Sequence, residues 1–310
     1  MSQRCFIGVD GGGTKTVGVA LDEQGNVLCR AETASINYCS MGMDAAVASL
    51  RSLVEALASE ANRPVAALAV GSSALDERIR DRLYDEFLER IAADPVLSAI
   101  PDRTVKSDAY MALLAACDED RGAVLIAGTG VMGLAADGGK LHSVAGWGEV
   151  FGDRGSGYWI AQTALCRALD YVDALLPEGE ALFYAMCEFF SLSSAADLIT
   201  LVYSPDFDKS KLAAFSSCVA ALAERGDACS ARILDQAADE LFAYCRSLAT
   251  YLGTRPFTLG FYGSILLKNN RIFSRLTENI RAKLPQVKIK LPQTTAEEAA
   301  ALYAIRRTHV

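Results

Sequence analysis

Residues 7–28 read IGVDGGGTKTVGVALDEQGNVL, and residues 125–144 read LIAGTGVMGLAADGGKLHSV. Both follow one plan: apolar run, glycine turn, second run, glycine-bearing turn, third run. In the first stretch Val17, Val19 and Leu21 alternate onto one face, the mark of a half-buried strand. The turn signals DEQGN and DGG then send the chain back. Each stretch therefore predicts three strands joined by tight turns. The second stretch reads as an internal duplication of the first.

Outward from the first stretch, residues 44–61 predict a helix. Val47, Leu50, Val54, Leu57 and Ala61 fall at helical spacing, and Asn62-Arg63-Pro64 ends it. Residues 65–70 are continuously apolar, as a buried parallel strand requires. A second amphipathic helix is expected over 76–92, with Ile79, Leu83, Phe87 and Ile91 on one side. A short strand at 104–107 leads through Asp108 into a helix over 109–117. The order βββαβαβα predicts an α/β fold with a mixed sheet covered by helices.

The polar break Asp118-Glu119-Asp120-Arg121-Gly122 is the expected domain boundary. Beyond it the strand plan restarts, and long apolar stripes predict helices over 158–171 and 230–252. Strands are expected at 258–262 and 287–291. Thr295 with Glu298 three residues on forms a capping-box signal for a closing helix. The expected domains are 1–118 and 119–294, with the closing helix 295–307 packing back on the first.

Composition narrows the function. The chain has 310 residues, 51% of them hydrophobic and 22% charged, which excludes a disordered chain. A net charge of −8 argues against duplex nucleic acid or anionic lipid as partner. It leaves room for a small anion, because backbone N–H groups can hold phosphate on an acidic protein. The two histidines, His142 and His309, provide little for Ser-His-Asp catalysis or His-rich metal sites. Proton transfer then falls to a carboxylate. The nine cysteines make no CxxC pair, and most stand in apolar surroundings, Cys5 and Cys166 among them. Buried free thiols point to a reducing, cytoplasmic setting. A glycine run arrives too early for a signal peptide, and the apolar stretch 123–136 is too short and broken to span a bilayer.

Four stretches carry candidate chemistry. GVDGGGTKT, residues 8–16, misses the P-loop pattern, since Thr14 stands where a lysine belongs, and no helix follows. Between antiparallel strands, Gly11, Gly12 and Gly13 form either a plain turn or a phosphate seat. In the second case Thr14 adds a hydroxyl and Lys15 a positive charge. Asp10 then holds magnesium through its waters. Gly128-Thr129-Gly130 is the matching turn of the repeat. Asp108 stands at a strand's carboxyl end, where open α/β sheets place ligands, and also where a helix N-cap belongs. GWGEVFGDRGSGYW, residues 146–159, gathers five glycines, both tryptophans and Asp153. A ring face beside a carboxylate suits a sugar. Glu149 and Asp153 lack a third neighbour for a metal. FTLGFYGS, residues 257–264, ends on Gly263-Ser264, a candidate backbone ledge for a nucleotide base.

Taken together, these motifs resemble the sugar-kinase branch of the actin-like ATPase superfamily. They are most similar to the eukaryotic-type N-acetylglucosamine kinases and the BadF/BadG/BcrA/BcrD ATPases. YSPDFDKSKLAAF, residues 203–215, extends the likeness. The resemblance implies two actin-like (ribonuclease H-like) domains with an active site in the interdomain cleft. It implies Thr14 and Thr129 on ATP phosphates, Ala213 near the adenosine, and Asp108 as the base for the sugar 6-hydroxyl. Asn37, Gly146, Trp147, Gly148 and Asp153 would hold the sugar, and a homodimer is implied. The implied reaction is phosphorylation of N-acetylglucosamine with ATP and Mg2+. Glucosamine, N-acetylmuramic acid and an ATPase that activates a partner enzyme are the alternatives. One position departs: Arg154 stands where the family's GDEG loop carries glutamate, reversing a charge beside the expected sugar site.

Overall fold

The computed structural model describes residues 3–13, 15–76, 78, 81–117, 121–205 and 207–308. Thr14, Ile79, the 118–120 part of the polar break and His309 lie outside the described residues. The chain forms two compact units, Met1–Glu119 with Pro292–Val310, and Asp120–Leu291.

The first unit is built on β1 (Cys5–Gly11), β2 (Lys15–Leu21), β3 (Val27–Ala34), β4 (Val65–Ser72) and β5 (Asp102–Ser107), ordered β3-β2-β1-β4-β5. β1, β2 and β3 pair antiparallel, whereas β4 runs parallel to both β1 and β5. Period-two alternation splits β1 between two cores. Cys5, Ile7 and Val9 join Leu50, Leu53, Leu57 and Phe87 beneath helix Met43–Ala61. Phe6 joins Val19, Leu21, Ala67 and Ala69 beneath the closing helix Ala296–Thr308. Gly8 makes that second layer possible. A Cβ there would stand 2.0 Å from the Glu297 carbonyl oxygen and 2.3 Å from the Ala301 nitrogen.

The second unit repeats the topology strand for strand. Its strands are β6 (Arg121–Ala127), β7 (Val131–Asp137), β8 (Lys140–Ala145), β9 (Phe257–Tyr262) and β10 (Val287–Lys290). The order β10-β9-β6-β7-β8 is the mirror listing of β3-β2-β1-β4-β5, with the same parallel and antiparallel pairings. Helices Gly157–Val172 and Ala228–Leu252 supply a large share of its core. Two mixed five-stranded sheets flanked by helices are thus the observed α/β fold.

Three expectations need correction. The helix expected from residue 76 begins at Arg82. Asp76 accepts the Arg78 N–H at 2.8 Å in a side-chain turn, and Asp81 caps the helix through the Tyr84 N–H at 2.9 Å. Leu83 lies on its exposed side, while Phe87 and Ile91 are buried. Cys166 is exposed rather than buried, and so is Cys39. The N-cap of helix Asp108–Ala116 is Ser107, not Asp108, with the Ser107 hydroxyl accepting from the Tyr110 N–H.

Candidate functional site

In the first unit the carboxyl ends of β1, β4 and β5 reach one sheet edge, because the three run parallel. The register pairs Asp10 with Gly71, and Ser72 with both Gly11 and Ser107. Asp108 follows as the first residue of its helix, its carboxylate accepting the Ala109 N–H at 2.7 Å. A Cβ on Gly71 would stand 3.3 Å from the Asp108 Cα, so Gly71 touches both acidic positions. Burial, then the like charges of Asp108 and Glu297, push the Asp10 carboxyl up to about 6.

The glycine turn lies beside these acids. The Gly12 N–H donates to the Lys15 carbonyl at 3.1 Å, closing the hairpin. Apart from its chain neighbours, no atom of the described residues lies within 4 Å of where a Gly13 Cβ would be, so its backbone is approachable. The Lys15 ammonium is 3.1 Å from Glu32 on β3. Asn37 stands at the same edge. It caps the single turn Tyr38–Met41, its Oδ1 accepting the Cys39 N–H at 3.0 Å. Its Nδ2 donates to the Ser73 hydroxyl at 3.3 Å, and the Ser73 N–H donates to the Gly11 carbonyl at 2.8 Å. Ser35 and Ser73 escaped the sequence reading. Their one signal was a small hydroxyl near Asn37 or near a strand end.

The second unit gathers its own candidates at the carboxyl ends of β6 and β9. The Gly157 N–H donates to the Gly128 carbonyl at 2.8 Å, and the Tyr158 N–H to the Thr129 carbonyl at 3.2 Å. The start of helix Gly157–Val172 thereby fixes the Gly128–Gly130 turn. Asp153 supports the turn from the other side. It is 7% exposed, its Oδ1 accepts the Val131 N–H at 3.0 Å, and a Gly130 Cβ would lie 2.8 Å from its Oδ2. Burial raises the Asp153 carboxyl, while the Val131 N–H and Lys209 pull it down. Gly146 is tied to the same strand, its N–H donating to the Val131 carbonyl at 2.9 Å.

Gly263, at φ 89°, would bring a Cβ within 2.3 Å of the Ala127 carbonyl oxygen, a contact only glycine permits. Ser264 opens the next helix at the surface. Ala213 is buried, its carbonyl 3.4 Å from a Cβ on Gly157. Trp147 is 65% exposed, with Gly148 next to it, whereas Trp159 packs against the core. Arg154 is paired with Glu240 at 3.3 Å, and Tyr244 and Glu240 raise its guanidinium further. The structure thus brings Asp10, Gly11–Gly13, Asn37 and Asp108 together in one unit. It brings Gly128–Gly130, Gly146, Asp153, Ala213 and Gly263 together in the other.

Among the described residues, no three His, Cys, Asp or Glu side chains group as a metal cage. Asp10 is a buried carboxylate with the like charge of Asp108 near it. That donor chemistry fits a hard cation that keeps most of its waters. No helix among the described residues is long and apolar enough to cross a membrane.

The protein-family model of the BadF/BadG/BcrA/BcrD ATPases matches residues 7–304. The chain is similar to an N-acetyl-D-glucosamine kinase of Dictyostelium discoideum, 31% identical over 98% of this chain and 99% of that one. It is also similar to an N-acetylmuramic acid/N-acetylglucosamine kinase of Clostridium acetobutylicum, 28% identical over 91% and 92%. A Chromobacterium violaceum structure provisionally described as an N-acetylglucosamine kinase shares the fold. Its TM-score is 0.77 at 24% identity, covering 97% of this chain and 98% of that one. The full-length family match and the two repeated glycine turns lead to one conclusion: the chain belongs to the BadF/BadG/BcrA/BcrD ATPase family.

Proposed function

We propose that the chain is an ATP-dependent hexosamine kinase that moves the γ-phosphoryl group of ATP to the 6-hydroxyl of N-acetylglucosamine. The observation that carries this reading is the convergence of Asp10, Asn37 and Asp108 on one sheet edge beside the Gly11–Gly13 turn. In this reading Gly11, Gly12, Gly13, Thr14 and Lys15 contact ATP phosphates, as do Gly128, Thr129 and Gly130. Gly263, Ser264 and Ala213 serve the nucleoside. Asn37, Gly146, Trp147, Gly148 and Asp153 hold the sugar.

Asp108 accepts the proton of the 6-hydroxyl as that oxygen bonds to the γ-phosphorus. The bond from phosphorus to the bridging oxygen breaks, and ADP leaves. The chain's contribution is chiefly positioning, with amides aimed at charge and one carboxylate orienting the alcohol. Asp10 would hold Mg2+ through water, and the ion would neutralise charge on the phosphate oxygens. The raised Asp10 carboxyl supports that role, because a buried, acid-flanked carboxylate gains most from a cation nearby.

The Arg154 pairing supports N-acetylglucosamine over N-acetylmuramic acid, since that guanidinium is committed to Glu240 rather than offered to a lactyl carboxylate. A cytoplasmic homodimer completes the proposal. Phosphorus-31 NMR of the product from N-acetylglucosamine and ATP tests the site of transfer. A phosphate coupled to the two C6 protons is expected; a phosphate coupled to a ring proton would refute it.

A further inference from the structure

Two serines outside the functional assignment close a hydrogen-bonded ring around Asn37. The Ser35 hydroxyl donates to the Gly12 carbonyl at 2.8 Å and accepts the Asn37 N–H at 2.9 Å. The Ser73 hydroxyl accepts from Asn37 Nδ2, and the Ser73 N–H returns to the Gly11 carbonyl. The ring therefore starts and ends on adjacent residues of the glycine turn. Ser35 is buried at 7% exposure, whereas Ser73 is exposed.

The ring also fixes which end of the Asn37 amide is which. The Cys39 N–H is a donor, so the amide atom facing it is the oxygen. The Nδ2 group then faces Ser73, and its second hydrogen remains to donate. That hydrogen is the donor Asn37 presents, and it suits a hydroxyl oxygen of a pyranose.

We propose that Ser35 and Ser73 are positioning residues for sugar recognition, locking the Asn37 amide to the backbone of the glycine turn. The inference rests on the sugar-kinase reading above. It adds that sugar binding and phosphate-turn geometry are linked through these two residues, Ser35 by its hydroxyl and Ser73 by its backbone N–H. Removing the Ser73 hydroxyl leaves the Asn37 amide held only through the Cys39 N–H, which weakens the sugar contact and leaves the base in place.

The test is steady-state kinetics of wild type, Ser73→Ala, Ser73→Thr, Asn37→Ala and the Ser73→Ala/Asn37→Ala double variant. Substrates are ATP with N-acetylglucosamine and its 3-deoxy and 4-deoxy analogues. Ser73→Ala is expected to raise the sugar KM about three- to tenfold, the worth of one neutral hydrogen bond. Its kcat, its ATP KM and its melting temperature stay near wild type. Ser73→Thr, which keeps the hydroxyl, restores the sugar KM. The double variant is no worse than Asn37→Ala, and discrimination against one deoxy sugar falls in Ser73→Ala and in Asn37→Ala. An unchanged sugar KM in Ser73→Ala, or full additivity with Asn37→Ala, would overturn the inference while wild-type turnover keeps the kinase reading intact. Absence of sugar-dependent turnover in wild type would overturn both.

Discussion

Asp10 carries a cost that its neighbours make measurable. Its carboxyl sits near 6 in the folded chain against an ordinary 3.8. The folded state therefore binds the proton more tightly than the unfolded state, and stability falls as pH rises from about 4 to about 6. Asp10→Asn removes that loss. In urea unfolding with EDTA present, the variant should exceed wild type at pH 8 by on the order of 1–3 kcal/mol, with the gap closing below pH 4. Equal pH profiles would contradict the burial and charge coupling assigned to Asp10. Arg154 behaves differently. Because it pairs with Glu240 at the surface, Arg154→Glu should cost under about 1 kcal/mol. It should leave the ranking of N-acetylglucosamine, glucosamine and N-acetylmuramic acid unchanged. A shifted ranking in an ADP-release assay would show that Arg154 reaches the sugar. From sequence alone, the reversed charge at 154 was visible but its partner Glu240, distant in the chain, was not.

At the scale of elements, β1 and the closing helix depend on Gly8. Gly8→Ala would force the Glu297 carbonyl and Ala301 nitrogen away from the sheet, since neither backbone atom can rotate aside. The expected loss is at least about 2 kcal/mol, read from the urea midpoint. A neutral variant would mean that the helix packs more loosely on the strand. Strands and their turns were legible because alternation and glycine punctuation are local signals. The start of helix Arg82–Ala93 was not, because the apolar spacing runs back through residues where Asp76 and Asp81 turn the backbone instead. The cap reading offered as the alternative at Asp108 passed to Ser107 for a related reason. Either residue type can cap, and one step along the chain decides which does. The candidate residues were legible as motifs. The serine ring was not, because Ser35, Asn37, Ser73 and the glycine turn come from separate parts of the unit.

For the whole molecule, the two units differ in how the chain builds them. Asp120–Leu291 is one continuous segment with its own core, whereas Met1–Glu119 needs Pro292–Val310 to complete it. The 120–291 segment expressed alone should give helical circular dichroism and a cooperative melt. Residues 1–119 alone would expose the face of Phe6, Val19, Leu21, Ala67 and Ala69 that the closing helix covers, and should aggregate. Supplying residues 292–310 through a short linker should restore a cooperative transition. A well-folded 1–119 fragment would contradict that account of the core.

Sugar-dependent ADP release with Mg2+, measured in wild type and in Asp108→Asn, tests the central claim most directly. Wild type should turn over fastest with N-acetylglucosamine. Asp108→Asn should lose kcat by about 100-fold or more while ADP affinity stays within a few fold. ADP release that ignores the sugar, or an Asp108→Asn enzyme with near-normal turnover, would contradict it.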